Sequence, residues 1–426
     1  MARFPAVSQT TETLSASVFS AMSERIKSRV GPLYPLHVGD TWREPYEGAR
    51  AESQRTVDEP LLHTYAPVQG EPRLLDAITR KVERRSGVTL EREALCVMSG
   101  ATSGLSVAMQ ALLDPGDEVL LPAPFWPLVR GIIASRGAVP VQVPLFDRLR
   151  ADDGVAGKRS KGYAFSVGPL PHLQLRASLG ALFASDFDLE QTLEAAITPR
   201  TTALYLNSPH NPTGTILAPD ELEACVRVAE RHDLWVFCDE VYEELWFGAA
   251  APTPIWTHPA LRKRAIVVHS LSTGYGLAGA RVGWAHGPRE AMRAIRGVQT
   301  FQVYCAPRPM QLGAARALDE GDAWLEETRA LYHAAAVKTA AVFGVPTPPG
   351  GTFLFVDASP WLPDDATTAL PLLLRAVDEA GVLLTPGGAS GDAYQRWVRV
   401  CFTSIAPALL DEALAGLAGV LARSRR

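Results

Sequence analysis

Cysteine is scarce in this chain, with five in 426 residues. Cys96, Cys225, Cys238, Cys305 and Cys401 are far apart, odd in number and form no Cys-x-x-Cys pair. That pattern argues against a disulfide framework or a zinc site and reads as small core residues in a reducing cytoplasm, with no metal expected. No stretch of about 20 apolar residues occurs, so no membrane span is expected. The first 20 residues alternate polar and apolar types and lack the apolar core of a secretion signal. An excess of basic charge is also missing: 41 Lys and Arg against 46 Asp and Glu leave a formal charge of −5. A mildly acidic surface with scattered cations serves neither nucleic acid nor an anionic membrane. Two phosphate-binding signatures are absent as well. No Gly-x-Gly-x-x-Gly follows the first strand, and no Gly-x-x-x-x-Gly-Lys-Ser/Thr occurs anywhere.

What is present is enough apolar material, 47% of residues, for a substantial core divided over more than one packing unit. Through the middle of the chain, short strand-like runs alternate with helical stretches. The runs are LCVM from Leu95, EVLLP from Glu118, AVPVQVPL from Ala138, TALYLN from Thr202, LWVFCD from Leu234 and AIVVHS from Ala265. This is the signature of an α/β fold with a mainly parallel sheet and helices on both faces. From about residue 288 the pattern changes to long helices, then FLFVDA, a helix near 367–380, VLLT, WVRVCF and a last helix from about 406. The expected division is a large unit over 51–310 and a small α+β unit built from 1–50 and 311–426. Residues 147–187 interrupt the alternation as an unusual insertion; segments of that length are functional or disordered.

Several polar residues sit at the ends of these strands. Ser99-Gly100-Ala101-Thr102 follows a strand and opens a helix, where a glycine and bare N–H groups suit a phosphate; a plain strand–helix turn looks the same. Trp126 can stack on a planar ring or simply fill the core. Asp239 ends a strand where open α/β sheets place ligands, and a carboxylate buried there calls for a cation. Tyr242 follows three residues later.

Read together, NSPHNPTG (Asn207–Gly214), CDEVY (Cys238–Tyr242) and SLSTGYGLAGARVG (Ser270–Gly283) resemble the class I/II aminotransferases of fold type I, from about Gly39 to Phe402. The resemblance implies a fold-type-I transferase that binds pyridoxal 5′-phosphate (PLP) or pyridoxamine 5′-phosphate. It implies that Ser99, Gly100, Ala101, Thr102, Ser270 and Arg281 hold the phosphate and that Trp126 stacks on the ring. Asp239 would keep the ring nitrogen protonated, while Asn211 and Tyr242 would bond the phenolate oxygen. Arg399, with Gly39 nearby, would clamp the α-carboxylate of an amino acid or keto acid. Tyr65, in YAPVQG, would reach the phosphate of a neighbouring subunit in a homodimer.

One position departs from the family. Its pattern Ser-x-x-Lys-x-x-Gly reads Ser270-Leu271-Ser272-Thr273-Gly274-Tyr275-Gly276 here. Threonine neither forms a Schiff base nor ionises at neutral pH, so the cofactor would be held non-covalently. Loss of a general base alone slows proton transfer by about 10²- to 10⁴-fold. Lys263 lies seven extended residues, about 20 Å, from Ser270; Lys158 and Lys161 fall in the insertion. Tyr242, Tyr275 and His210 are candidate bases. Three readings follow: an enzyme using an untethered cofactor for transamination or related elimination chemistry, a non-catalytic binding homologue, or a lysine-to-threonine variant of an ordinary aminotransferase.

Overall fold

The computed structural model describes residues 22–144 and 188–424. The insertion at 147–187, with Lys158 and Lys161, therefore lies outside the described residues. The strands are β1 (Leu95–Met98), β2 (Glu118–Ala123), β3 (Val139–Pro144), β4 (Thr201–Asn207), β5 (Trp235–Asp239), β6 (Ala265–Ser270), β7 (Gly283–His286), β8 (Phe353–Asp357), β9 (Thr385–Pro386) and β10 (Trp397–Cys401). The helices are α1 (Ser23–Ser28), α2 (Pro72–Ser86), α3 (Ala101–Leu112), α4 (Pro127–Ala134), α5 (Leu189–Glu194), α6 (Pro219–Arg231), α7 (Arg289–Gln302), α8 (Arg308–Glu320), α9 (Asp322–Phe343), α10 (Leu370–Arg375) and α11 (Pro407–Ser424).

Seven strands form one sheet in the order β1-β7-β6-β5-β4-β2-β3. Strands β3, β2, β4, β5 and β6 run parallel, and β7 is antiparallel to both β6 and β1. The sheet is thus mainly parallel, as the alternating pattern predicts. Strand β7 is an addition to that reading: four residues after a glycine-rich loop give too short a run to stand out. The apolar runs on β1, β2, β4, β5 and β6 pack into one large cluster with Trp284, Phe125 and Phe237.

A second sheet has the order β8-β10-β9, antiparallel throughout. Its cluster draws Val356, Val382, Val398 and Leu414 together with Met22, Tyr34 and Leu36 from the other end of the chain. The link is main-chain pairing: Tyr34 donates to Gly381 and Cys401 donates to Leu36. Two details differ from the pattern. Helix α10 passes into a π-helical turn at Ala376–Ala380, closed by Gly381 at φ +69°. VLLT contributes only Thr385 to a strand, and that residue pairs with Arg399 on β10. Among the described residues no helix is long and apolar enough to cross a membrane.

Candidate active site

Strand polarity puts the carboxyl ends of β4, β5 and β6 side by side. Register pairs Asn207 with Asp239, so the two polar termini share a face. A primary amide both donates and accepts, and Asn207 uses both functions. Its Nδ2 donates to the Asp239 carbonyl at 2.8 Å, and its Oδ1 accepts from the Asn211 N–H at 2.7 Å. The loop carrying Asn211 is thereby tied to the strand carrying Asp239. Asn211 repeats the device one step outward. Its Nδ2 donates to the Tyr242 hydroxyl at 3.2 Å, and its Oδ1 accepts from Arg399 Nη1 at 3.1 Å.

Arg399 is 7% exposed. Its Nη2 donates to the His37 carbonyl at 3.0 Å and to Thr385 Oγ1 at 3.3 Å, and its guanidinium lies 4.2 Å from the Phe353 ring centre. Its Nε is buried without a hydrogen-bond partner, and no carboxylate among the described residues pairs with it. Burial pushes its pKa down. A buried cation lacking a counter-charge costs several kcal/mol, so this corner is built for an anion.

Asp239 is the opposite case. Burial raises its carboxyl to about 6, against a hydrogen bond from the Tyr205 hydroxyl at 2.6 Å that lowers it. An ionised carboxylate here calls for a cation in the space it faces.

That space is a cavity of about 200 Å³. Of the residues expected at the site, Gly39, Ala101, Thr102, Trp126, Asn211, Asp239, Tyr242, Ser270, Thr273 and Arg281 line it, joined by Leu105, Val241, Ser272 and Ala278. The open end of α3 supplies Ala101 and Thr102. Just before it, Gly100 has φ +79° and ψ 165°, a region essentially reserved for glycine. A Cβ at Gly100 would lie 2.3 Å from Arg281 Nη2, so the missing side chain is what lets the guanidinium lie against the turn. Arg281 itself donates to the Ala278 carbonyl at 2.9 Å and pairs with no carboxylate among the described residues. Ser270 Oγ accepts from the Ser272 N–H at 3.0 Å, shaping the loop that presents Thr273, which is 8% exposed.

Other expectations land elsewhere. Ser99 and Gly100 belong to the turn but do not line the cavity, and Arg399 sits one hydrogen bond behind Asn211. Tyr65 is 81% exposed on this chain, its ring 5.1 Å from that of Tyr304. His210 is buried, bonded through Nδ1 to Thr213 Oγ1 at 2.7 Å and lowered to about 3 by burial. Tyr275 faces a separate cavity beside Lys81 and Glu244. Burial raises both the Tyr275 and Tyr242 hydroxyls, so none of the three candidate bases takes a proton readily at neutral pH. Lys263 is exposed and ends a helical turn beyond the far end of β6.

Two residues escaped the sequence reading. Lys81 on α2 is buried, 3.2 Å from Glu243 and in contact with Glu244. These carboxylates outweigh desolvation and raise its pKa, which keeps it charged and lining the other cavity rather than this one. The amphipathic spacing of α2 hides it, because a lysine in such a run reads as solvated. Tyr205 is the second. Its only signal is a hydroxyl two residues before Asn207, hence on the same face of a buried strand.

The sequence profile of aminotransferase class I and II matches residues 34–154 and 185–417. The chain belongs to this family. Aminotransferases of class I and II are PLP enzymes, and the present chain is an enzyme of that group. It is 32% identical over 343 residues to a probable N-succinyldiaminopimelate aminotransferase of Mycobacterium tuberculosis (strain ATCC 25618 / H37Rv), covering 79% of this chain and 78% of the relative. It is 29% identical to arginine–pyruvate transaminase of Pseudomonas aeruginosa, covering 79% and 77%. The solved N-succinyldiaminopimelate aminotransferase of M. tuberculosis superposes with a TM-score of 0.81 at 28% identity, covering 97% of this chain and all of the other. The present structure thus has the fold-type-I architecture of the aminotransferases.

Proposed function

We propose that this aminotransferase homologue binds PLP or pyridoxamine phosphate without a covalent tether and acts on an amino acid or keto acid through its α-carboxylate. The observation that carries the reading is the convergence on one cavity of a buried carboxylate, Asp239, and an arginine without an acidic partner, Arg281, with Thr273 between their loops. A chain with no use for the cofactor has no physical need for so many polar groups converging on one cavity. The residues fit the group. The bare N–H groups at the first turn of α3, with Ser99, Ser270 and the Arg281 guanidinium that lies against Gly100, suit a phosphate dianion. Trp126 offers a ring face.

Bound there, the cofactor supplies an electron sink that acidifies the α-hydrogen of an amine substrate. The chain's own residues do the rest. Asp239 would hold a proton on the ring nitrogen, while Asn211 and Tyr242 would donate to the phenolate oxygen. Arg399, one hydrogen bond behind Asn211, would receive the α-carboxylate, and Gly39 is held to glycine by the Phe353 ring, which a Cβ there would meet at 2.8 Å. Thr273 stands at the lysine position of the family pattern and offers neither anchor nor base, so proton transfer is slowed by about 10²- to 10⁴-fold.

A homodimer completes the reading. Leu61, Tyr65 and Phe301 expose 74%, 81% and 92% of their area, apolar surface that a second copy would cover. We also retain the proposed division into units at 51–310 and at 1–50 with 311–426.

The test is an absorbance titration with PLP, dialysis, and a panel of amino acids that includes arginine and N-succinyldiaminopimelate. Binding should be reversible, and borohydride should leave no cofactor on the chain. Substitution Thr273→Lys should then create a reducible adduct and raise transamination at least about 100-fold. A reduced adduct on any lysine of the unmodified chain would overturn the reading.

A further inference from the structure

Asp239 needs to be charged to hold a pyridinium, yet burial works against that charge. Of its two oxygens, Oδ2 accepts from the Tyr205 hydroxyl at 2.6 Å, whereas Oδ1 has only the Val241 N–H at 3.4 Å. The other polar neighbours are committed elsewhere. Asn207 bonds the Asp239 carbonyl rather than its carboxylate, and Tyr242 is bonded by Asn211. Tyr205 is 2% exposed, and Asp239 is its acceptor. A phenol carries a single proton. Donated to Oδ2, it stabilises the ionised carboxylate, whereas a proton on Oδ2 would force the phenol to turn its own hydrogen away and accept instead.

We propose that Tyr205 is a positioning residue that holds Asp239 ionised through Oδ2 and leaves Oδ1 for a cation in the cavity. The proposal rests on the reading of Asp239 as the partner of the PLP ring nitrogen. Register makes the contact possible: Tyr205 pairs with Phe237 and Asn207 with Asp239, so the phenol approaches along the face that the aspartate shares. The titratable groups around Asp239 are Tyr205 on β4, His269 on β6, Tyr242 in the turn after β5, and its chain neighbours Cys238 and Glu240. Of these side chains, Tyr205 is the one hydrogen-bonded to the carboxylate.

The measurement is PLP affinity from pH 5 to 8 without substrate, read by quenching of tryptophan fluorescence. In the wild type, affinity should be flat above the Asp239 midpoint and fall up to about tenfold per pH unit below it. In Tyr205→Phe the midpoint should move up by roughly half to one unit, from loss of a charge-assisted hydrogen bond. Fluorotyrosine placed at 205, a stronger donor of nearly the same shape, should move it down and serves if the phenylalanine variant does not fold. An unchanged midpoint in either substituted protein overturns the role of Tyr205 while leaving PLP binding intact. No PLP binding by the wild type at any pH overturns both.

Discussion

At the residue scale the site is a set of charges held where they are uncomfortable. Asp239 has a carboxyl raised by burial to about 6, above its ordinary value of 3.8, and Glu240 is raised for the same reason to about 7. For an acid whose folded pKa lies above its unfolded one, the folded chain binds more protons in between. Stability is then full below pH 4 and lost as pH rises through 6. Two units correspond to about 3 kcal/mol at neutral pH. Asp239→Asn should therefore raise the melting temperature of the cofactor-free protein at pH 7.5 and flatten its fall between pH 4 and 6.5, while weakening PLP at least about tenfold. Thermal melts across that range check it; equal slopes in both proteins would refute the assignment. Asp239 was legible at this scale because a polar residue at the end of an apolar run stands out, and Arg281 and Arg399 through the motifs that resemble the family. Lys81 and Tyr205 were not, since their meaning depends on partners 163 and 34 residues away.

At the scale of elements, strand ends aim the chemistry. Parallel β4, β5 and β6 must finish on one side of the sheet, and α3 begins beside them. Its entry turn depends on Gly100. Substitution Gly100→Ala would force a side chain into a glycine-only backbone region, costing about 1–3 kcal/mol, and would press a methyl against Arg281. The expected outcome is a drop of about tenfold or more in PLP affinity with little change for pyridoxal, which lacks the phosphate. Paired titrations read the difference. Equal losses for both ligands would mean that the turn serves the fold rather than the phosphate. The segment ²⁷⁰SLSTGYG²⁷⁶ illustrates how much a motif alone leaves open. Its composition identified a loop at the cavity, but only the fold sends Thr273 inward and Tyr275 toward Lys81.

At the scale of the molecule, two cores share a chain that leaves one and returns to it. Main-chain pairing of residues 34–36 with strands near the far terminus brings Gly39 and the His37 carbonyl to Arg399. Exposed Leu61, Tyr65 and Phe301 stand on the same chain. If they form a subunit interface, Phe301→Asp should yield a monomer in sedimentation velocity and lower PLP affinity through loss of the partner's Tyr65. A protein already monomeric before substitution would sink that proposal.

The amino-acid order by itself determined the α/β class, the strand ends that carry the polar groups and the threonine among them. Periodicity and short motifs are local properties, and each could be read within a few residues. Tertiary structure alone decided which of those groups meet, and burial turned aside His210, Tyr242 and Tyr275 as bases. It also added β7, Lys81 and Tyr205. The physical reason is that burial and hydrogen-bond partnership set a side chain's charge, and both are properties of neighbours distant in the chain.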